Sequence, residues 1–454
     1  MRKARYIPGD EIETGCVGSI LPRLVTRSSD GEGIVPPRAG PSSANQFLRY
    51  SVLLVLVLIG TSHAQTGLVL PLRRDAKTSQ FYTTFQMGSN PTTINAVIHL
   101  SGQHLWLACD NYTSTTYAPI LCDSAKCEAA KGFGCSGCNG PARPGCSNNT
   151  CGTASSNPFL FYITSYGLYE DTLSSKDHVQ LPDFIFSCVP NDFVQGLAAP
   201  VSGMVGLGRF DIAFHKVVAE KMKLPDRFSI CPPSSGIGKL TVGAGAPTKS
   251  DISSLIKTTP LIVNKPVSNQ PFFSDNDLSQ EYFIDVRSIR VAGEAVEVKE
   301  SYFDINGDRV GGTKISSLQN YTAMHTSIYK PVARAFDKAA SDMKMRSVAA
   351  VGPFRACYSA ETVKRTGAGP EVPAIDLVLP GKDVYWRISG ANAMVEIDRK
   401  TMCLAFVDAG SRPTTSVVIG AHQLKENYLE FDVAASQLRF TSSLLVHNKT
   451  CSRI

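Results

Sequence analysis

The chain has 454 residues, 43% of them hydrophobic, with 36 glycines, 27 prolines, 13 cysteines and a net charge of +6. That is enough apolar material for large cores, and the abundant Gly and Pro predict many turns between short strands. The positive charge is spread thinly and lacks the clustered basic face that nucleic-acid binding needs, so no nucleic-acid partner is expected.

Residues 1–46 are rich in Gly, Pro, Ser and Arg and are expected to be a disordered leader. Residues 47–64 read as a signal peptide: Arg49, an apolar run Val52–Ile59, then Ser62-His63-Ala64. The run is too short to span a bilayer, which takes about 20 residues, so no membrane span is expected. Cleavage after Ala64 would leave a chain from Gln65. The long leader before the signal leaves two readings open: an internal signal, or a leader that comes from gene modelling.

Strand-like patterning begins at Gln80. A strand, a small Ser101-Gly102 turn and a second strand are predicted over Ala96–Asp110, with His104 on the second strand. His99, which closes the first strand, and His104 are both expected to be structural. Seven of the cysteines crowd between Cys109 and Cys151. Cys135 and Cys138 have the spacing of half a zinc site, but no second half follows, so a disulfide-stapled loop is expected and no metal. The twelve cysteines after the signal (Cys109, Cys122, Cys127, Cys135, Cys138, Cys146, Cys151, Cys188, Cys231, Cys357, Cys403 and Cys451) allow up to six disulfides, with connectivity open.

Further along, Pro158–Leu173 reads as a hairpin, and Gly203–Gly208 as an apolar strand closed by glycines. Its Gly-x-Gly lacks the spacing of a phosphate-binding loop, and no cofactor is expected. A short helix is predicted over Phe214–Lys223, ended by Pro225. Thr258–Gln280 is polar and is taken as a connection between two halves, 65–265 and 266–454. The pattern then restarts with a strand pair in Glu281–Val291, a strand region over Gly312–Met324 and a helix over Ser327–Met343. An apolar strand entering a small-residue loop, followed later by an apolar pair closed by Gly, thus occurs twice: His99 with Val205-Gly206, and Ser316 with Ile419-Gly420.

The run Ala96–Asp110, with Trp106 and Cys109 after the turn, resembles the first active-site loop of pepsin-like aspartic proteases. The second-half phrases Thr326–Phe336, Met394–Ile397 and Thr415–Asn427 resemble a plant branch of that fold. This branch comprises extracellular dermal glycoproteins, basic globulins, gamma-conglutins, and inhibitors of xylanases and xyloglucan-specific endoglucanases. The resemblance covers roughly residues 65–454. It implies an all-β, bilobal pepsin-like aspartic protease fold with a few short helices.

Aligned on that family, its two catalytic aspartates fall on His99 and Ser316. Pepsin-like chemistry needs two carboxylates sharing one proton across a water. An imidazole and a hydroxyl cannot supply that, and a His–Ser hydrolase would lack an orienting acid and an oxyanion hole. The resemblance therefore implies a non-enzyme that works by binding: an inhibitor of microbial glycoside hydrolases, secreted to the extracellular space and cell wall. The alternatives are a storage or ligand-binding glycoprotein of the basic globulin type, or a residual endopeptidase. Xylanase inhibitors of this family place a histidine close before the last cysteine, to reach between the glycanase carboxylates. His447, four residues before Cys451, matches that spacing and is the inhibitory candidate. Imidazolium opposite two carboxylates gives charge-assisted hydrogen bonds strongest at mildly acidic pH. Asn111, Asn148, Asn320 and Asn448 head Asn-x-Thr sequons and are expected glycosylation sites; a glycan on Asn448 would crowd such an insertion.

Overall fold

The structure is a computed structural model that describes residues 67–160, 163–245, 252–264 and 279–454. The expected leader, signal peptide and cleavage point lie outside the described residues. The architecture is all-β and bilobal, with many short strands and four α-helices among the described residues. None of these helices is long and apolar enough to cross a membrane.

Alternation of buried and part-exposed side chains in Phe81–Met87 (Phe81, Thr83, Phe85 and Met87 inward) is the pattern of a strand with one face on the core. That strand pairs antiparallel with Thr92–His99, which in turn pairs parallel with Gly203–Gly206, opposing His99 to Gly206. The second half repeats the arrangement. Thr313–Ile315 pairs parallel with Val417–Ile419, opposing Ile315 to Ile419, so that Ser316 falls opposite Gly420. The repeat read from the sequence is therefore a repeat of register. Both glycines are dictated by close approach. A Cβ on Gly206 would sit 2.4 Å from the His104 nitrogen, and one on Gly420 2.5 Å from the Tyr321 carbonyl carbon.

The two halves are stitched by Arg227–Cys231, which pairs antiparallel with Leu429–Asp432. Phe228 stacks on Phe431 across this seam at 4.8 Å, and Tyr282 closes the cluster with its hydroxyl donating to the Leu207 carbonyl at 2.7 Å. The core is the expected aliphatic and aromatic set, continuous from Leu68 to Phe440.

The short helix Phe214–Met222 forms as predicted and ends at Lys223 in the left-handed region, two residues before Pro225. The long helix runs Thr326–Asp342. Three expectations need correction. Pro158–Leu173 is not itself a hairpin; it is a turn followed by one long strand, Ile163–Ser174, which pairs with Thr150–Ser156 before it and Gln180–Val189 after it. Gly167 faces Gly152. A Cβ there would lie 2.9 Å from Thr150 Cγ2, so the glycine serves strand proximity rather than reversal. The polar connection beginning at Thr258 is partly a strand, Lys257–Ile262, pairing with Gln437–Phe440. Glu281–Val291 holds two strands, but each pairs elsewhere: Phe283–Ile284 with Thr313–Ile315, and Ser288–Val291 with Ile375–Val378.

All twelve cysteines of the described chain form disulfides: Cys109–Cys188, Cys122–Cys135, Cys127–Cys151, Cys138–Cys146, Cys231–Cys451 and Cys357–Cys403. Cys135 and Cys138 thus belong to two different bridges.

Candidate functional site

The two repeated strand ends meet at a cleft of about 540 Å³ whose lining includes both His99 and Ser316. Sequence reasoning had brought these two residues together through the repeat, and the fold does the same in space. What joins them is a residue the sequence reading passed over. The Ser317 hydroxyl accepts from the Leu100 amide at 3.2 Å and donates to the Ile98 carbonyl at 2.8 Å. It is a cross-half bridge, 1% exposed, one residue beyond Ser316. Its place in the second copy of the repeat was the available signal.

His99 is half-buried, with its Nδ1 buried and without a hydrogen-bond partner. Burial, aided by the nearby Lys314 ammonium, lowers its pKa to about 4, so the ring is neutral at ordinary pH. Ser316 Oγ accepts from the amides of Leu318 at 3.3 Å and Gln319 at 3.1 Å, so its lone pairs are turned to its own loop. Among the described residues lining the cleft, the acidic side chain is Glu281, and it is ion-paired to Lys314. No pair of facing carboxylates is present among these residues. A water nucleophile would find no shared-proton dyad, and a serine nucleophile no aligned base.

His104 is buried (2% exposed) in the bend before the Trp106–Ala108 strand rather than on the strand itself. The main chain must turn there to bring Leu105 and Trp106 into the core. Its Nε2 lies 3.4 Å from Ser155 Oγ, and burial lowers its pKa to about 4.

His447 sits elsewhere. It is exposed at the end of a 3-10 turn, Leu444–His447, and does not line the cleft. The turn is rigidly held. Glu426 accepts through its carbonyl from the Leu444 amide at 2.7 Å and through Oε2 from the Cys451 amide at 2.7 Å, and Cys451 is bridged to Cys231. Asn111, Asn148, Asn320 and Asn448 are all exposed. Asn320 borders a small polar recess with Arg74, Tyr321, His422 and Lys425, apart from the main cleft lining. No group of His, Cys, Asp and Glu able to hold a metal ion occurs among the described residues.

Residues 81–244 match the family described as xylanase inhibitor N-terminal, and residues 281–442 the one described as xylanase inhibitor C-terminal. A probable aspartic proteinase GIP2 of Nicotiana benthamiana is 40% identical over 408 residues, covering 86% of this chain and 92% of that protein. Gamma conglutin 1 of Lupinus albus is 33% identical over 413 residues, covering 85% and 88% respectively. Among solved structures, that of edgp superposes with a TM-score of 0.81 at 38% identity, covering 86% of this chain and 98% of that one. The soybean basic 7S globulin gives 0.73 at 29% identity, with the same coverage.

Proposed function

The chain belongs to the plant xylanase-inhibitor family of the pepsin-like fold, and from that premise we propose that it is a secreted, non-catalytic binding protein that inhibits microbial endoglycanases. The observation that carries the non-catalytic part is the cleft floor: a neutral imidazole and a loop-bonded hydroxyl stand at equivalent register positions where a peptidase of this fold needs two carboxylates. Six disulfides are consistent with an oxidising compartment, and the apolar run Val52–Ile59 supplies the means of export.

The inhibitory contact falls to the His447 turn. The imidazole projects from a segment that cannot move far, because Cys231–Cys451 and Glu426 hold its base. A preorganised imidazole entering a glycanase cleft would sit between the two catalytic carboxylates, which lie roughly 5–9.5 Å apart in such enzymes, and would donate hydrogen bonds to carboxylate acceptors. The test is sugar release by xylanases and xyloglucan-specific endoglucanases with and without the purified protein. Inhibition that falls at least tenfold in His447→Ala supports the turn as the contact. Inhibition unchanged by that substitution removes His447 from the account. No inhibition and no complex on gel filtration would shift the reading to a storage or ligand-binding role, which the gamma conglutin and basic 7S globulin relatives favour. Retention on immobilised pepstatin, which needs an acidic dyad, would overturn the non-catalytic reading.

A further inference from the structure

The cleft has lost what a peptidase needs but has not closed. At about 540 Å³ it is the size of ordinary small-ligand sites, about 300–1,000 Å³. Its chemistry is specific. Gln280 is 7% exposed, lines the cleft, and its Nε2 donor is buried without a partner. His99 lines the same cleft and carries a second buried, unpartnered nitrogen, beside Gly102, on a ring neutral above about pH 4. Buried polar groups of this kind discriminate strongly, because a ligand that cannot meet them leaves them desolvated.

Charge narrows the ligand further. Lys314 and Glu281, the charged side chains among the described lining residues, neutralise each other. An anionic or cationic ligand would find no unpaired countercharge. At the mouth, Phe159 and Ile163 are 38% and 44% exposed, an unusual display of large apolar side chains beside hydroxyl and amide groups such as Ser156 and Gln103. A site that combines side-chain amides and hydroxyls on its walls, an apolar shelf at its mouth and no net charge suits a ligand with many hydroxyls and apolar ring faces.

We propose that the cleft binds a short, neutral oligosaccharide, with Gln280 and His99 meeting ring hydroxyls and Phe159 stacking on a sugar face. This site is independent of the glycanase contact, which rests on the His447 turn, so either can fail without the other.

The experiment is calorimetric titration of the purified chain with xylotetraose, with cellotetraose, and with a blocked neutral hexapeptide as the competing ligand type. Saturable one-to-one binding of a tetrasaccharide is expected, weakened at least about tenfold by Gln280→Leu and by Phe159→Ala. Phe159 is exposed, so its variant keeps the wild-type unfolding temperature and separates loss of binding from loss of fold. Glycanase inhibition should be unchanged in both variants. Absence of saccharide binding, full-strength binding in both variants, or binding of the hexapeptide in preference to the sugars would each overturn the proposal.

Discussion

The two copies of the strand-and-loop unit at the cleft share register but not content. In the first copy, His99-Leu100-Ser101 follows the strand; Leu100 is fully buried, and a second histidine, His104, is sealed behind the turn. In the second copy, Ser316-Ser317-Leu318 takes the same place, and its inward residue is polar. Ser317 reaches across to grip the main chain on both sides of His99. One copy thus acts as an apolar plug and the other as a polar clasp. A duplicated frame tolerates this asymmetry because the backbone pairing and the glycines Gly206 and Gly420 hold the geometry.

That difference can be broken from either side. Leu100→Ala should cost about 4 kcal/mol, since it empties a fully buried site that well-packed sheets cannot collapse around; chemical denaturation measures it. Next in size, taken one histidine at a time, is the acid response of the first copy. His99 and His104 titrate at about 4 in the fold against 6.5 when free. The unfolded chain therefore binds more protons between those values, and stability falls as pH drops from 6.5 to 4 and levels off below. His104 alone accounts for roughly 3 kcal/mol at the acid end. His422 in the second half, held at about 3 by burial and Lys425, adds to the same limb. Glu430, raised above 4.5 by burial, works in the opposite sense. Melting temperature followed across this window should show a slope that His104→Gln reduces and Ser316→Ala leaves intact.

The smallest effect belongs to the clasp. Ser317→Ala should cost about 2 kcal/mol, because the buried Leu100 amide loses its acceptor, whereas Ser316→Ala, half-exposed, should cost under about 1 kcal/mol. Equal losses at the two serines, seen in denaturant midpoints, would show that the second copy does not act as a clasp.

Much of this site was legible before folding. The internal repeat marked His99, Val205-Gly206, Ser316 and Ile419-Gly420, and those residues do oppose one another. Strand-like patterning from Gln80 matches the strand Phe81–Met87, and Pro225 follows the end of the Phe214 helix. The failures share a cause. The 158–173 hairpin and the strands around Phe283 and Ser288 were assigned from neighbours in sequence, yet their pairing partners lie outside those stretches. Gln280 looked like linker because its burial depends on packing beside Gly208 and Arg209, which nothing local announces.

By itself the sequence determined the strand periodicity, the twofold repeat, the even set of cysteines and the residue types that end each copy, because these are properties of local pattern and identity. Tertiary structure decided which cysteines bridge, that Ser317 rather than Ser316 spans the halves, and that His99 and Gln280, each with a buried unpaired nitrogen, line one cavity. Most of those outcomes depend on distant chain segments being brought within hydrogen-bond or bonding distance, as in Cys231–Cys451 with a separation of 220, and local pattern carries no such distances.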